Sequence, residues 1–311
     1  MISLRKLTKH YGGLPALQEL DLEVQRGDCF GLIGPNGAGK TTLIRILSTL
    51  LEPSDGLAYV DGKEVSEDPV GASSVIGYLP DTFPIYGDLR VWEFLEYYAG
   101  CYRVPRRRRM ERVEGILDLV DLRGKRDEYA RNLSRGMRQR LCLGKTLIHD
   151  PKLLLLDEPT SGLDPKARIE FRQLMRELVR LGKTVLISSH VLPELSEFCN
   201  SVGIMERGRM VLSGRVDEIL ARMKPHRTLV LEFLAGEELL LARLQAGGIP
   251  GARAWTVEGK KLTVDFDGKD EQLADFHHAV AAQPGVRLLT FTEQRSNLED
   301  IFLKVAAHEV S

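Results

Sequence analysis

With 311 residues, 43% of them hydrophobic and 28% charged, the chain can bury one large core and a smaller one, and its formal net charge of -1 excludes a global basic field for nucleic acid. The four cysteines, Cys29, Cys101, Cys142 and Cys199, form no C-x-x-C pair, so neither a zinc centre nor a disulfide framework is expected. The start MISLRKLTKHY lacks the apolar run of a secretory signal, and no stretch approaches the roughly 18 consecutive apolar residues of a spanning helix, so any membrane crossing is expected of another chain.

Residues 2–33 alternate short apolar runs with turn signals (YGG, RGD) and read as strands; CFGLIG at 29–34 reads as a buried strand ending in glycine. GPNGAGKT at 34–41 then fits G-x-x-x-x-G-K-[ST], between that strand and a helix expected from Lys40. The loop Gly34, Pro35, Asn36, Gly37, Ala38 and Gly39 is expected to wrap a β-phosphate in backbone N–H groups at a positive helix end. Lys40 would reach the β- and γ-phosphates, Thr41 would ligand Mg²⁺ and Thr42 would contact the α-phosphate.

Over about 86–150 the texture changes: VWEFLEYYAGCY, MERVEGILDLV and GMRQRLCLGKTLI carry apolar residues at helical spacing, which predicts a mostly helical subdomain. Val91, Phe94, Leu95 and Tyr98 share one helical face and read as core, whereas RRRR at 106–109 reads as a solvated face. NLSRGMRQRL at 132–141 reads as a helix start shaped for an anion: Ser134 can cap it, Gly136 lets a ligand approach the backbone, and Arg135, Arg138 and Arg140 add charge. No anion lies beside it in the sequence.

KLLLLDEP places Asp157 at the end of a four-leucine strand, where parallel sheets put their ligands. Asp157 would hold Mg²⁺, directly or through water, and Glu158 would orient or deprotonate an attacking water. A helix from about Pro165 to Leu181, the strand TVLISS and a hairpin around Arg207 and Gly208 follow, and the KPHRT stretch ends the first domain. Residues 228–311 read strand, helix, two strands, helix, strand and a last helix NLEDIFLKVAA, a small α+β sandwich without a chemical motif; His277 and His278 read as surface.

The set GPNGAGKTT, LSRGMRQR, LLLLDEPTSGLDP and ISSH, in this order and spacing, resembles the ATPase subunit of an ABC transporter over about residues 1–215. The resemblance implies an α/β fold: a P-loop ABC-type ATPase domain at 1–215, with a parallel-sheet core, an antiparallel β subdomain and the helical subdomain at about 86–150, plus a C-terminal accessory α+β domain at 216–311. It implies ATP hydrolysis with Mg²⁺, coupled to transport, with Tyr11 stacking on adenine, His190 touching the γ-phosphate beside Lys40 and Glu158, and Asp164 in a loop that crosses between subunits. It also supplies the missing anion: Ser134 and Gly136 would bind the γ-phosphate held by a second copy.

Two departures stand out. Arg135 and Met137 replace glycine and glutamine of the usual LSGGQ, and Arg135 is expected either to add charge toward the sandwiched triphosphate or to point to solvent. Asp81 in IGYLPD stands where the family carries a glutamine that ligands Mg²⁺; a carboxylate there adds repulsion toward the γ-phosphate, so slower turnover is expected.

The partners implied are transmembrane permease subunits and a second ATPase subunit, in a homodimer, on the cytoplasmic face of the cell membrane; Phe83, Tyr86, Trp92 and Tyr97 are the docking candidates. Export is favoured by the LSRGMRQRL signature and the short C-terminal domain. The rival, a soluble ABC-type ATPase acting on nucleic acid or ribosomes, would need a second cradle or a long coiled-coil insertion, and neither is present; a phosphate-transferring P-loop kinase would leave the Ser134 helix unexplained.

Overall fold

The structure, a computed structural model, describes residues 1–82, 84–191, 195, 198–222, 227–245 and 251–294. Phe83 and the expected helix at 297–307 therefore lie outside the described residues. The chain divides into two compact units, Met1–Val216 and Asp217–Ser311.

In the first unit, β1 (Ile2–Tyr11), β2 (Leu14–Val24), β4 (Asp55–Val60) and β5 (Lys63–Glu64) form an antiparallel sheet in the order β2-β1-β4-β5. Its inward residues in β1 are Ile2, Leu4 and Leu7, so the alternation slips once. The slip is a bulge: the register with β2 shifts between Leu4 and Leu7, with Lys6 and Glu19 in left-handed conformation at φ +47° and +45°.

The central sheet runs β10-β9-β3-β8-β7-β6. Its strands are β3 (Cys29–Ile33), β6 (Ile76–Leu79), β7 (Leu153–Leu156), β8 (Thr184–Ser189), β9 (Ser201–Glu206) and, as an antiparallel edge, β10 (Arg209–Arg215). The pairs β9 with β3, β3 with β8, β8 with β7 and β7 with β6 are parallel. Every residue of β3, β7 and β8 is buried, the continuous run that parallel strands covered on both faces require. Helix α1 (Lys40–Leu47) buries Leu43, Ile44, Ile46 and Leu47, which join Leu4, Leu17, Leu186 and Met205 in one core between the two sheets. Fully burying a side chain of this kind is worth about 1.5–3 kcal/mol.

A short helix α2 (Pro69–Ser73) precedes β6. The three helices α3 (Val91–Cys101), α4 (Arg106–Leu119) and α5 (Arg135–Leu147) fill the stretch between β6 and β7. Val91, Phe94 and Leu95 are buried as the helical face predicts, and a Cβ at Gly144 of α5 would stand 2.9 Å from Ile116 of α4, so this glycine lets the two helices approach. Arg106, Arg107 and Arg108 are exposed; Arg109 bonds the Val104 carbonyl at 2.9 Å. Helix α6 (Pro165–Arg180) turns Phe171, Leu174, Met175 and Leu178 inward.

After α7 (Val216–Arg222), the second unit is a four-stranded antiparallel sheet, order β12-β13-β11-β14, from β11 (Arg227–Ala235), β12 (Ala252–Glu258), β13 (Lys261–Phe266) and β14 (Arg287–Gln294). Leu229, Leu231 and Phe233 of β11 and Leu262, Val264 and Phe266 of β13 alternate inward against Leu240 of α8 (Glu237–Gln245) and Phe276 and Val280 of α9 (Asp270–Ala281). His277 and His278 are exposed. Among the described residues no helix is long and apolar enough to cross a membrane.

Candidate nucleotide site

The loop at 34–39 joins the carboxyl end of β3 to α1, and crowding demands two of its glycines, Gly34 and Gly39. A Cβ at Gly34 would overlap the Met205 carbonyl, and at Gly39, where φ is +104°, it would stand 2.6 Å from the Ala16 carbonyl. Lys40, only 6% exposed, folds back over the loop: its Nζ donates to the Gly34 carbonyl at 2.6 Å and to the Pro35 carbonyl at 3.2 Å. The loop encloses a cavity of about 250 Å³ lined by Ala16, residues 35–42, Asp81 and Glu158. A larger cleft of about 750 Å³, beside Tyr102, Arg108, Arg112 and His149, shares no lining residue with it and holds none of these groups.

The two carboxylates reach the cradle from the end of β7. Asp157 is buried, and its Oδ1 accepts the Ser188 hydroxyl at 2.7 Å. The same Ser188 oxygen accepts the Glu158 N–H at 2.9 Å, so one serine of β8 sets both residues. Glu158 sits at φ +46°, a left-handed conformation costly for a residue with a Cβ, and this turn sends its side chain back over the loop. Its Oε2 accepts from His190 Nδ1 at 2.9 Å; since a carboxylate only accepts, Nδ1 carries the hydrogen. Its Oε1 lies 3.4 Å from Lys40 Nζ, within ion-pair range although not aligned as a hydrogen bond, which leaves that buried oxygen without a hydrogen-bond donor. The glutamate is thus held between a lysine and a histidine, each able to release it when phosphate oxygens arrive.

Residues 34–42, Asp81, Glu158 and His190 are therefore gathered, with Asp157 one serine away. Ser134, Arg135, Gly136, Asp164 and Tyr11 do not line this cavity. Ser134 caps α5, its Oγ accepting the Met137 N–H at 3.3 Å, and is itself exposed. Asp164 caps α6, accepting the Ala167 N–H at 2.8 Å. Tyr11 ends β1, 47% exposed, with Lys9 Nζ 5.7 Å from its ring centroid. Arg135 does not line its own cradle, and its Nη2 donates to the Ser161 carbonyl at 2.9 Å.

Sequence reasoning passed over Ser188 and Ala16 and left the partner of Gln139 open: its Nε2 donates to the Pro159 carbonyl at 2.6 Å in a buried site. Gln139 was detectable as a polar residue on the apolar face shared with Cys142, Leu143 and Thr146.

A glycine loop between a parallel strand and a helix, with a carboxylate pair, Asp157 buried and Glu158 partly so, beyond a nearby strand of the same sheet, defines a P-loop nucleotide-binding fold. A family profile described as "ABC transporter" matches residues 17–161. The Nod factor export ATP-binding protein I of Cupriavidus pinatubonensis is 34% identical over 317 residues, spanning 100% of this chain and 92% of that protein. The probable multidrug ABC transporter ATP-binding protein YbhF of Escherichia coli is 36% identical over 222 residues, 71% of this chain and 38% of that protein. A solved ATP-binding subunit of an ABC transporter superposes with a TM-score of 0.64 at 28% identity, over 71% of this chain and 92% of that one. The chain belongs to the ABC transporter family of ATP-binding proteins and is an ATPase.

Proposed function

We propose that two copies of this chain close around ATP, each cradle facing the amino end of the neighbour's α5, and that this cycle powers export through separately encoded transmembrane subunits at the inner face of the cell membrane. The observation that carries the pairing is the exposed, capped start of α5, which is absent from the lining of its own cradle. A helix end with free N–H groups binds an anion readily, and the nearest chemistry to supply one is a second cradle. Residues 1–215 carry the nucleotide chemistry in this reading, and 216–311 form an accessory domain through which the copies touch.

On ATP entry, Lys40 Nζ exchanges the Gly34 and Pro35 carbonyls for β- and γ-phosphate oxygens, Thr42 meets the α-phosphate, and Tyr11 stacks on adenine. Glu158, released from Lys40, takes the proton of the attacking water, while His190 keeps the carboxylate aimed through Oε2 and turns its other face to the γ-phosphate. Ser134 and Gly136 of the neighbour close the opposite side, and Asp164 lies on the crossing loop.

For Mg²⁺ the available donors are hard oxygens: the Thr41 hydroxyl, the Asp157 carboxylate and Asp81. Among the described residues no group of three or more His, Cys, Asp or Glu is placed to hold a metal, which suits a cation carried in by phosphate oxygens and met by one or two protein ligands. Bound there, Mg²⁺ supplies charge neutralisation at the β- and γ-oxygens. Asp81→Gln removes a negative charge from the cavity, so turnover is expected to hold or to rise a few-fold in a phosphate-release assay; a collapse of activity would assign the carboxylate a further role.

Support for export comes from the relatives named for Nod factor export and multidrug transport. The docking surface proposed for the permease is the aromatic edge of α3. Tyr86 and Tyr97 are about half exposed and pack edge to face at 5.7 Å, while Trp92 lies under the Arg126 guanidinium at 5.2 Å. A photo-cross-linker replacing Tyr97 is expected to trap an integral membrane chain in cells. Adducts confined to ribosomal or nucleic-acid-bound proteins would favour the rival reading.

A further inference from the structure

We propose that Arg135 is a positioning residue whose guanidinium clamps residues 161–164 onto the amino end of α5, so that this helix end and the Glu158 turn move as one body within a protomer. The inference rests on, and deepens, the two-copy reading.

The loop is built around the arginine. Arg135 Nη2 bonds the Ser161 carbonyl at 2.9 Å, and the next residue, Gly162, has φ +66° and no Cβ; a Cβ there would overlap the guanidinium. A cation on the first turn of a helix opposes the macrodipole, and the carbonyl of Ser161 is the acceptor that offsets it. Two further contacts lie along the same helix. A Cβ on Gly136 would stand 2.9 Å from the Ala167 Cβ, and buried Gln139 holds the Pro159 carbonyl at 2.6 Å. Arg140 extends the seam, with Nη2 3.5 Å from Glu170. Positions 135, 136, 139 and 140 thus lie along one side of α5 and tie it to the segment running from Glu158 through the Asp164 cap into α6. Gln139 anchors the seam in the interior; residues 161–164 are held by the Ser161 N–H to Glu158 and Leu163 N–H to Thr160 carbonyl bonds and by the Asp164 cap, and Arg135 adds the bond that ties their outer side to α5. The guanidinium is spent inside its own protomer and sets the angle of the helix end instead of binding phosphate.

The test uses the full chain with Arg135→Ala, Arg135→Lys, Gly162→Ala and the double variant Arg135→Ala/Gly162→Ala. In nucleotide-free protein, amide hydrogen exchange at 161–164 is expected to quicken about five-fold in Arg135→Ala, with Arg135→Lys between it and the parent. In turnover, kcat of Arg135→Ala is expected to fall about three- to ten-fold while the KM for ATP moves less than about two-fold, and Arg135→Lys recovers part of the loss. Gly162→Ala is expected to harm the parent several-fold more than it harms Arg135→Ala, because the new Cβ expels a guanidinium only where one is present. Unchanged exchange in Arg135→Ala overturns the clamp. So does a rise in KM for ATP with additive effects of the two substitutions, the pattern of a phosphate ligand. The exchange arm needs neither nucleotide nor pairing. Lost protection in a chain that never pairs with ATP therefore supports the clamp and removes the two-copy reading instead.

Discussion

Glu158→Gln is expected to lower ATP turnover by about 100-fold or more while ATP still binds. The substitution keeps the length and shape of the side chain and removes only its ability to take a proton. In the nucleotide-free site Glu158 already lies 3.4 Å from Lys40 and bonds His190 at 2.9 Å, so the group is aimed at the cavity before any substrate arrives. The left-handed turn at φ +46° is a cost that folding alone gives no reason to keep. Phosphate release, measured beside equilibrium binding of a fluorescent ATP analogue, separates the two effects. Turnover within a few-fold of the parent would take the base role away from Glu158.

Lys40→Ala should act on the other parameter. Its ammonium is buried and donates to two loop carbonyls, and in the loaded site it would make two charge-assisted bonds to phosphate. At about 1.5 kcal/mol or more for each, their loss weakens ATP binding by about 100-fold. The same change strips Glu158 Oε1 of its nearest cation, so the free protein is expected to melt lower as well. Calorimetric titration with ATP and a thermal melt test both. The contrast with Arg135→Ala, expected to leave apparent affinity for ATP nearly unchanged, distinguishes a phosphate ligand from a residue that only sets a helix.

What could be read from the chain in advance was whatever short-range chemistry decides. The cradle, the four-leucine strand before Asp157 and the Ser134 cap are each specified within ten residues, and each forms as expected. The alternating strands of the second unit were legible for the same reason. The β1 bulge was not, because it is settled by pairing with β2 and by the Lys6 N–H meeting Asp21 across the hairpin. Arg135 is the sharpest case. Its bond within the chain could not be foreseen, because the partner lies 26 residues away, beside a glycine whose missing side chain makes room for it. The partners of Gln139 and Ser188 could not be read for the same reason: these carbonyl and carboxylate groups are set by how α5 and β8 pack against the Asp157–Glu158 turn. Local spacing reveals which groups exist, whereas tertiary packing decides which of them touch.

The composite site is tested most directly by cysteine cross-linking in a background with Cys101, the one exposed native cysteine, changed to Ser. With Asn36→Cys in the cradle, Ser134→Cys at the head of α5 and a short bifunctional maleimide, a covalent dimer is expected when non-hydrolysed ATP is present and absent without it. A chain that stays monomeric in ATP, or that closes an internal link between positions 36 and 134, would contradict a triphosphate held between two protomers.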